Sequence, residues 1–272
     1  MQIEGWKYYN HAAIPTTAPH EPVNMKPLED GTIWKLDGKP LLARWHTDWD
    51  CGYETNWWYI ICDAPFDIEN ISKKSRKNIR KSLENCEVRK VDAKDCIDDL
   101  WRVFQEATER YSNYEQTTTR DGFASMIMQA PDYWEIWCGY EKETNRMIGF
   151  KICSVYDDWV DFTTSKYSTE YLKLRVSDAL NYVVLEEYLN IRGKKYISNG
   201  TRSVVHETNV QDYYQEHFNF RKSYCKLRIR YGFPFNMIIG VLYPFRKSIE
   251  KYDKGITHKI CSLLSMEEIA RS

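Results

Sequence analysis

The stretch YVVLEEYLNIRGKKYISNG, residues 182–200, predicts a helix that ends at a glycine and leads directly into a strand. Apolar residues recur at helical spacing from about Glu170 to Arg192, which is typical of an amphipathic helix. Gly193 follows the last periodic position, where helices commonly end. KKYISNG, residues 194–200, then has the composition of a short strand.

Strands surround this helix on both sides. Before it, residues 133–141, 146–157 and 159–168 are rich in aromatic and β-branched residues and are separated by short polar turns, which indicates antiparallel pairing. After it, residues 207–220 have the pattern of a helix and residues 224–232 that of a strand. A helix that crosses between strands is typical of α/β proteins.

Farther out, residues 1–30 hold four of the nine prolines and predict an irregular arm, while residues 31–63 predict a β-meander. The remaining predicted elements are helices at 72–85, 93–111, 119–130, 236–249 and 256–270 and a short strand CEVRKVD from residue 86. The order predicts a mixed α/β (α+β) fold, with a central, mostly antiparallel sheet flanked by helices and preceded by a small β-rich region.

Composition excludes several function classes. The 272 residues include 38 basic and 39 acidic side chains, and this near-neutral balance argues against a general nucleic-acid binder. The eight cysteines form no CxxC pair and the six histidines no paired ligand spacing, so we expect packing thiols and no metal. The N-terminus lacks a signal-peptide pattern, and the apolar run FNMIIGVLYPF is too short to span a bilayer. We therefore expect a cytoplasmic protein without a transmembrane segment.

One segment departs from the neutral background. SKKSRKNIRKS, residues 72–82, carries six positive charges and no negative charge. A solvated helix face is the ordinary interpretation of such a run. However, like charges four residues apart destabilise a helix, which suggests a compensating anion. The alternative is therefore an anion clamp, defined here as Lys73, Arg76, Lys77 and Arg80, because arginine and lysine both suit phosphate.

Two stretches resemble the GNAT acyltransferases, and within them the Fem-type aminoacyltransferase branch. ISKKSRKNIRKSLENCEVRKV, residues 71–91, is similar to the basic helix before the first strand of that domain. The helix–glycine–strand segment quoted above, followed by YYQEHFNF at residues 213–220, is similar to a second conserved unit of the branch. The resemblance implies a GNAT-like domain at 64–249, after a possible remnant half at 1–63 and before a C-terminal helix at 250–272.

The resemblance also implies where the chemistry lies. The acyl oxygen would meet backbone N–H groups of a splayed strand at residues 162–165. A base and an acid are also required for acyl transfer. The base candidates are Asp161, His206 and Glu207, and the acid candidates are Tyr213 and Tyr214. Their ordinary alternatives are a solvent-face carboxylate, a capping or surface histidine, and core tyrosines.

Substrate binding is implied in the same way. Asn199, Thr201 and Arg202, in SNGTRS (residues 198–203) at the end of the predicted strand, are the acceptor-binding candidates, with an ordinary polar loop as the alternative. GNAT enzymes cradle the pyrophosphate of acyl-CoA with a glycine-containing loop, but SKYSTEYLKLRV, from Ser165, contains no glycine. The resemblance implies either acyl-CoA or aminoacyl-tRNA as the donor. Six of the ten tryptophans lie in residues 1–58 and suit a small core or a sugar-stacking surface.

These observations predict an N-acyltransferase that acts on an amine of a sugar-nucleotide, lipid-linked or cell-wall precursor. Its partner would be a phosphorylated small-molecule or lipid-linked substrate. A tRNA partner is possible as the donor, and no DNA partner is expected. One alternative is a catalytically silent GNAT-fold module that binds a phosphorylated glycan precursor. Another is an RNA-binding protein that uses the basic helix, although the near-zero net charge argues against it.

Overall fold

The structure is a computed structural model, and it describes residues 1–109, 118–204, 209–252 and 256–272. The chain clusters into two compact units that draw on distant segments. The first unit comprises Met1–Tyr59, a short segment that begins at Thr201, and Lys222–Ser272. The second comprises Ile60–Gly200 and Asn209–Arg221. The domain boundaries that the sequence predicts, after residues 63 and 249, stay predictions.

The strands and helices follow in chain order. The strands are β1 (Trp6–Tyr9), β2 (Ala12–Pro15), β3 (Leu42–Thr47), β4 (Trp57–Cys62), β5 (Cys86–Val91), β6 (Trp134–Glu141), β7 (Met147–Val155), β8 (Trp159–Tyr167), β9 (Tyr196–Thr201) and β10 (Arg221–Tyr231). The helices are α1 (Lys26–Glu29), α2 (Lys73–Asn85), α3 (Ile97–Thr108), α4 (Arg120–Met128), α5 (Val176–Leu185), α6 (Val210–Phe218), α7 (Phe235–Leu242), α8 (Arg246–Ile249) and α9 (Ile256–Arg271).

In the first unit, β10 lies between β3 and β4, so the meander predicted for residues 31–63 is wrong. β10 pairs antiparallel with β3, from Lys226 opposite Thr47 to Tyr231 opposite Leu42. An alternating apolar pattern identifies a strand and the face that it buries, but it does not specify which strand lies beside it. The predicted strands β3 and β4 do exist. The error lies in their predicted pairing with each other.

The second unit contains the predicted sheet. Its strands lie in the order β9-β8-β7-β6-β5, and β5 to β8 pair antiparallel with their neighbours while β8 and β9 are parallel. The core against this sheet is apolar and includes Leu100, Phe123, Phe150 and Ile152. The mixed α/β fold with a mostly antiparallel sheet flanked by helices is thus confirmed.

The helix predicted from about Glu170 is shorter than expected. Arg175 adopts a left-handed conformation with φ 59°, and α5 begins only after it. A π-helical turn at Glu186–Ile191 then extends the helix, and Gly193 follows in the left-handed region at φ 63°, which agrees with the predicted end. Close packing fixes α5 on the sheet, because a Cβ added to Gly139 would lie 2.3 Å from Cγ2 of Val176.

None of the helices in the described ranges combines the length and the hydropathy that a transmembrane span requires.

Candidate active site

Strand β8 changes its pairing halfway along its length. Its parallel ladder with β9 runs from Trp159 opposite Tyr196 to Asp161 opposite Ser198. Its register with β7 shifts next to Cys153, which leaves Thr163 as an extra, bulged residue. A bulge bends a strand and redirects its side chains. The second half of β8 therefore stays paired with β7, from Thr164 opposite Ile152 to Tyr167 opposite Gly149, after its ladder with β9 has ended.

A cavity of about 300 Å³ lies beside this half of β8. It is formed by β8 and the segment after it, by α3 and α6, and by the end of β9. The lining residues are Ala107, Phe162, Thr163, Thr164, Ser165, Lys166, Tyr167, Thr169, Leu172, Asn199, Val210, Tyr213 and Tyr214. The fold thus brings together four predicted features: the backbone of residues 162–165, Asn199, Tyr213 and Tyr214.

A chain of hydrogen bonds connects these tyrosines to strand β7 and helix α5. Lys151 Nζ donates to the Tyr214 hydroxyl at 2.9 Å, and that hydroxyl donates to Asn181 Oδ1 at 3.1 Å. Asn181 Nδ2 donates to the Tyr213 hydroxyl at 3.4 Å, and Tyr213 donates to the Asp178 carboxylate. Every member thus donates to the next, from an amine at one end to a carboxylate at the other. Such networks fix side-chain positions when each member is satisfied.

Lys151 is the functional candidate that the sequence analysis missed. It is fully buried on β7, and its Nζ lies 3.7 Å from the centroid of the Phe162 ring. Burial lowers the pKa of the Lys151 amine and raises the pKa of the Tyr213 and Tyr214 hydroxyls, because it disfavours every charged form. A signal was present, since Lys151 is the single charged residue in the apolar strand MIGFKICSV.

The other predicted catalytic residues lie elsewhere. Asp161 belongs to β8, but it is not among the described residues that line the cavity. His206 and Glu207 lie outside the described residues. Their roles therefore stay predictions.

The basic helix forms as predicted and begins after Ser72, whose hydroxyl accepts from the Ser75 backbone N–H at 3.1 Å. Glu69, just before the helix, supplies a counter-charge. Arg76 Nη1 lies 2.7 Å from one oxygen of its carboxylate and Arg80 Nη2 lies 2.9 Å from the other. Two residues of the proposed clamp are therefore already paired within the protein.

The other two clamp residues, Lys73 and Lys77, are exposed. None of the four clamp residues is among the described residues that line the cavity beside β8. The acceptor candidates Thr201 and Arg202 belong to the first unit, where they line a different cavity, whereas Asn199 belongs to the second. The predicted acceptor set is thus divided between the units.

The segment between β8 and α5 is a poor cradle for the pyrophosphate of acyl-CoA. Glycine would supply left-handed positions without steric cost, but here that conformation falls on Arg175. The first turn of α5 also contains the buried Asp178. Its carboxylate occupies the position where the helix dipole would favour the negative charge of a pyrophosphate. The described residues therefore do not fit this mode of CoA binding.

Comparison with solved structures identifies the fold class. The crystal structure of FemX superposes with a TM-score of 0.55 at 8% identity, over 80% of this chain and 81% of FemX. L-PGS from Bacillus licheniformis gives 0.51 at 12% identity, over 98% of this chain and 85% of L-PGS. A conserved protein of unknown function from Bacteroides thetaiotaomicron gives a TM-score of 0.51 at 11% identity, over 76% of this chain and 74% of that protein.

At these identities the likeness establishes the fold alone. The chain has a Fem-type, GNAT-like fold, as the resemblance of its sequence implied. No protein-family model matches the sequence, and no curated protein matches it either.

Proposed function

We propose that this protein is an acyltransferase that moves an acyl or aminoacyl group onto an amine of a sugar-nucleotide, lipid-linked or cell-wall precursor. The observation that carries the proposal is the cavity where β8 leaves β9, lined by the backbone of residues 162–167 and by two tyrosines. Its setting supports the proposal, because FemX and L-PGS share the fold. We place the protein in the cytoplasm, as the sequence predicts.

The cavity offers two of the three groups that acyl transfer requires. Backbone N–H groups of residues 162–165 would stabilise the oxyanion as the acceptor amine attacks the acyl carbon. Tyr214 would then give its proton to the departing group as the bond to that group breaks. The resulting tyrosinate would lie 2.9 Å from Lys151 Nζ, and a protonated lysine would stabilise it. The base that takes the amine proton stays a prediction for Asp161 or His206.

The donor is proposed to be aminoacyl-tRNA in preference to acyl-CoA. The glycine-free segment before α5 and the buried Asp178 oppose a pyrophosphate at that helix. The anion clamp on α2 would instead meet phosphate groups of the donor or of the acceptor. For Arg76 and Arg80 this requires that an incoming anion displace Glu69.

The test is turnover with acetyl-CoA, longer acyl-CoAs and aminoacyl-tRNAs as donors and amine-bearing nucleotide-sugars as acceptors. For an active pair, Tyr214→Phe should lower kcat on the order of 10²–10⁴-fold, the range for loss of a general acid. Because burial raises the pKa of Tyr214 above its ordinary value, the hydroxyl stays protonated near neutral pH, and the loss should not depend on pH there. Tyr182→Phe is the matched control, because Tyr182 is a half-buried tyrosine on α5 outside the cavity lining. Equal losses in both variants would contradict the role of Tyr214.

A silent binding module is the second candidate, and one observation favours it. Both cavity tyrosines already donate their hydroxyl protons within the protein, to Asn181 and Asp178. If no donor is turned over while a nucleotide-sugar still raises the melting temperature, binding without catalysis is the function. Turnover with any donor would exclude it.

A further inference from the structure

The first unit contains two arginines that face one cavity. This cavity has a volume of about 380 Å³, and Arg44 of β3 and Arg202 are among its lining residues. Arg44 also borders an adjoining cavity of about 120 Å³, together with Thr17. The described residues that line the two cavities include no aspartate and no glutamate.

Arg44 has little to balance its charge. Its guanidinium Nη1 donates to the thioether of Met266 at 3.6 Å, and sulfur of this kind is a weak acceptor. Among the described residues, no carboxylate forms an ion pair with it. Burial lowers the pKa of Arg44, which reflects the cost of holding a charge away from water.

Arg202 is held in place, and it too forms no ion pair with a carboxylate among the described residues. Its Nη1 donates to the Asn56 carbonyl at 2.8 Å, and its guanidinium carbon lies 4.6 Å from the centroid of the Trp58 ring. Its Nε is buried and has no hydrogen-bond partner among the described residues. The contacts orient a planar donor group and leave part of it unsatisfied.

A third donor completes the set. The Thr17 hydroxyl, in the adjoining cavity, is buried and also has no hydrogen-bond partner among the described residues. Buried polar groups are nearly always satisfied, so orphaned donors indicate a missing acceptor. Arg146 Nε is likewise buried without a hydrogen-bond partner, but the Arg146 guanidinium forms an ion pair with Glu106 at 3.2 Å. Arg192 contacts both Glu135 and Glu187 at 2.7 Å.

We infer that Arg44 and Arg202 form a binding site for a phosphate group. The missing ligand should be an anion that accepts several hydrogen bonds, because the two guanidinium groups can only donate and the Thr17 hydroxyl can donate as well. Guanidinium forks match phosphate oxygens in geometry. A phosphate with nearly two negative charges balances two arginines, whereas a carboxylate leaves one of them uncompensated. The inference is independent of acyl transfer, because binding is measured directly.

The experiment is calorimetric titration of the full chain with inorganic phosphate, pyrophosphate and acetate. We expect pyrophosphate or phosphate to bind and acetate to bind more weakly. Arg44→Met and Arg202→Gln should each lower phosphate affinity at least about tenfold, as expected for lost charge-assisted hydrogen bonds. Arg44→Lys, which keeps the charge without the fork, should give an intermediate loss and serves if Arg44→Met does not fold.

Two controls separate this site from others. Arg228→Gln removes an exposed arginine of β10 that donates to Thr47, and it should leave phosphate affinity unchanged. The Arg76→Ala/Arg80→Ala protein should keep the component of phosphate binding that Arg44→Met removes, which distinguishes the site from the clamp on α2. Absence of phosphate binding at millimolar concentration, or binding lost in the α2 variant and kept in Arg44→Met and Arg202→Gln, would overturn the inference.

A further arm identifies the source of the phosphate. Vesicles of phosphatidic acid in phosphatidylcholine are compared with vesicles of phosphatidylcholine alone. If the protein binds the vesicles with phosphatidic acid and the Arg44→Met protein does not, the site is assigned to a lipid phosphate. A response to soluble phosphate without vesicle binding assigns it to a small ligand. Either result supports the phosphate site.

Discussion

Two groups of cations in this protein differ in how their charges are balanced. On α2, six positive charges lie within eleven residues, yet Arg76 and Arg80 already share the two oxygens of Glu69. In the first unit, Arg44 and Arg202 stand apart in the sequence, and neither forms an ion pair with a carboxylate of the described residues. The conspicuous cluster is partly neutralised, and the inconspicuous pair is not.

The difference shows why charge density alone is a weak guide to anion sites. Exposed charges are solvated, so a dense run of them costs little and predicts little. A cation that is removed from water without a counter-charge carries a real free-energy cost, which a bound anion can offset. Lys151 is the extreme case, because it is fully buried and its hydrogen-bond partner is a neutral tyrosine.

The largest stability effect is expected for Lys151→Met. Methionine fills a similar volume and removes the desolvation cost of the amine, while Tyr214 keeps its bond to Asn181. We expect the free energy of unfolding at pH 7 to rise by about 1–3 kcal/mol, as for other buried charges replaced by apolar residues. Urea unfolding of both proteins at several pH values measures this change.

The increase in the free energy of unfolding caused by Lys151→Met should become smaller at high pH. Burial lowers the folded-state pKa of Lys151 below the ordinary value for a lysine, so in the interval between the two pKa values the unfolded chain holds a proton that the folded chain has lost. Stability of the parent protein therefore rises with pH across that interval, relative to the variant. The exposed Lys195→Met is the matched control and should show no such trend. A Lys151→Met protein that is less stable at every pH would refute this account.

The fold was predictable from sequence to the extent that local patterns determine it. Residues 133–168 alternate and turn as antiparallel strands do, and Gly193 ends the preceding helix because it supplies a left-handed conformation. The position of β10 between β3 and β4 was not predictable in the same way. Pairing of strands that lie far apart in sequence depends on tertiary packing, and a single sequence carries no local trace of it.

The candidate site was partly predictable for a similar reason. Tyr213 and Tyr214 follow from the family resemblance, and they do line the cavity beside β8. Lys151 could have been suspected from its apolar strand, but its contact with Tyr214 joins residues 63 positions apart. Arg44 gives no signal at all, because an arginine in a strand is ordinary until its neighbours are known.

A smaller effect should separate the two groups of arginines in the absence of ligand. Arg44→Met removes a buried charge without a counter-charge, so the free energy of unfolding should stay constant or rise by up to about 1 kcal/mol. Arg76→Ala removes a surface ion pair with Glu69 and should lower it by about 0.2–1 kcal/mol. Denaturant unfolding in phosphate-free buffer measures both changes. A large loss in Arg44→Met would mean that the arginine is balanced by the protein itself.

The smallest effect on binding is expected for Glu69→Gln. Glutamine keeps the shape of the side chain but withdraws the counter-charge from Arg76 and Arg80, so both guanidiniums become available to an external anion. If α2 is an anion clamp, pyrophosphate affinity should rise several-fold in the Arg44→Met background, where the other site is impaired. Glu87→Gln, which removes an exposed carboxylate paired with Arg89, is the control for a general change in charge. Equal affinity in both variants would mean that the basic face of α2 is only solvated, because releasing its arginines would then have created no site.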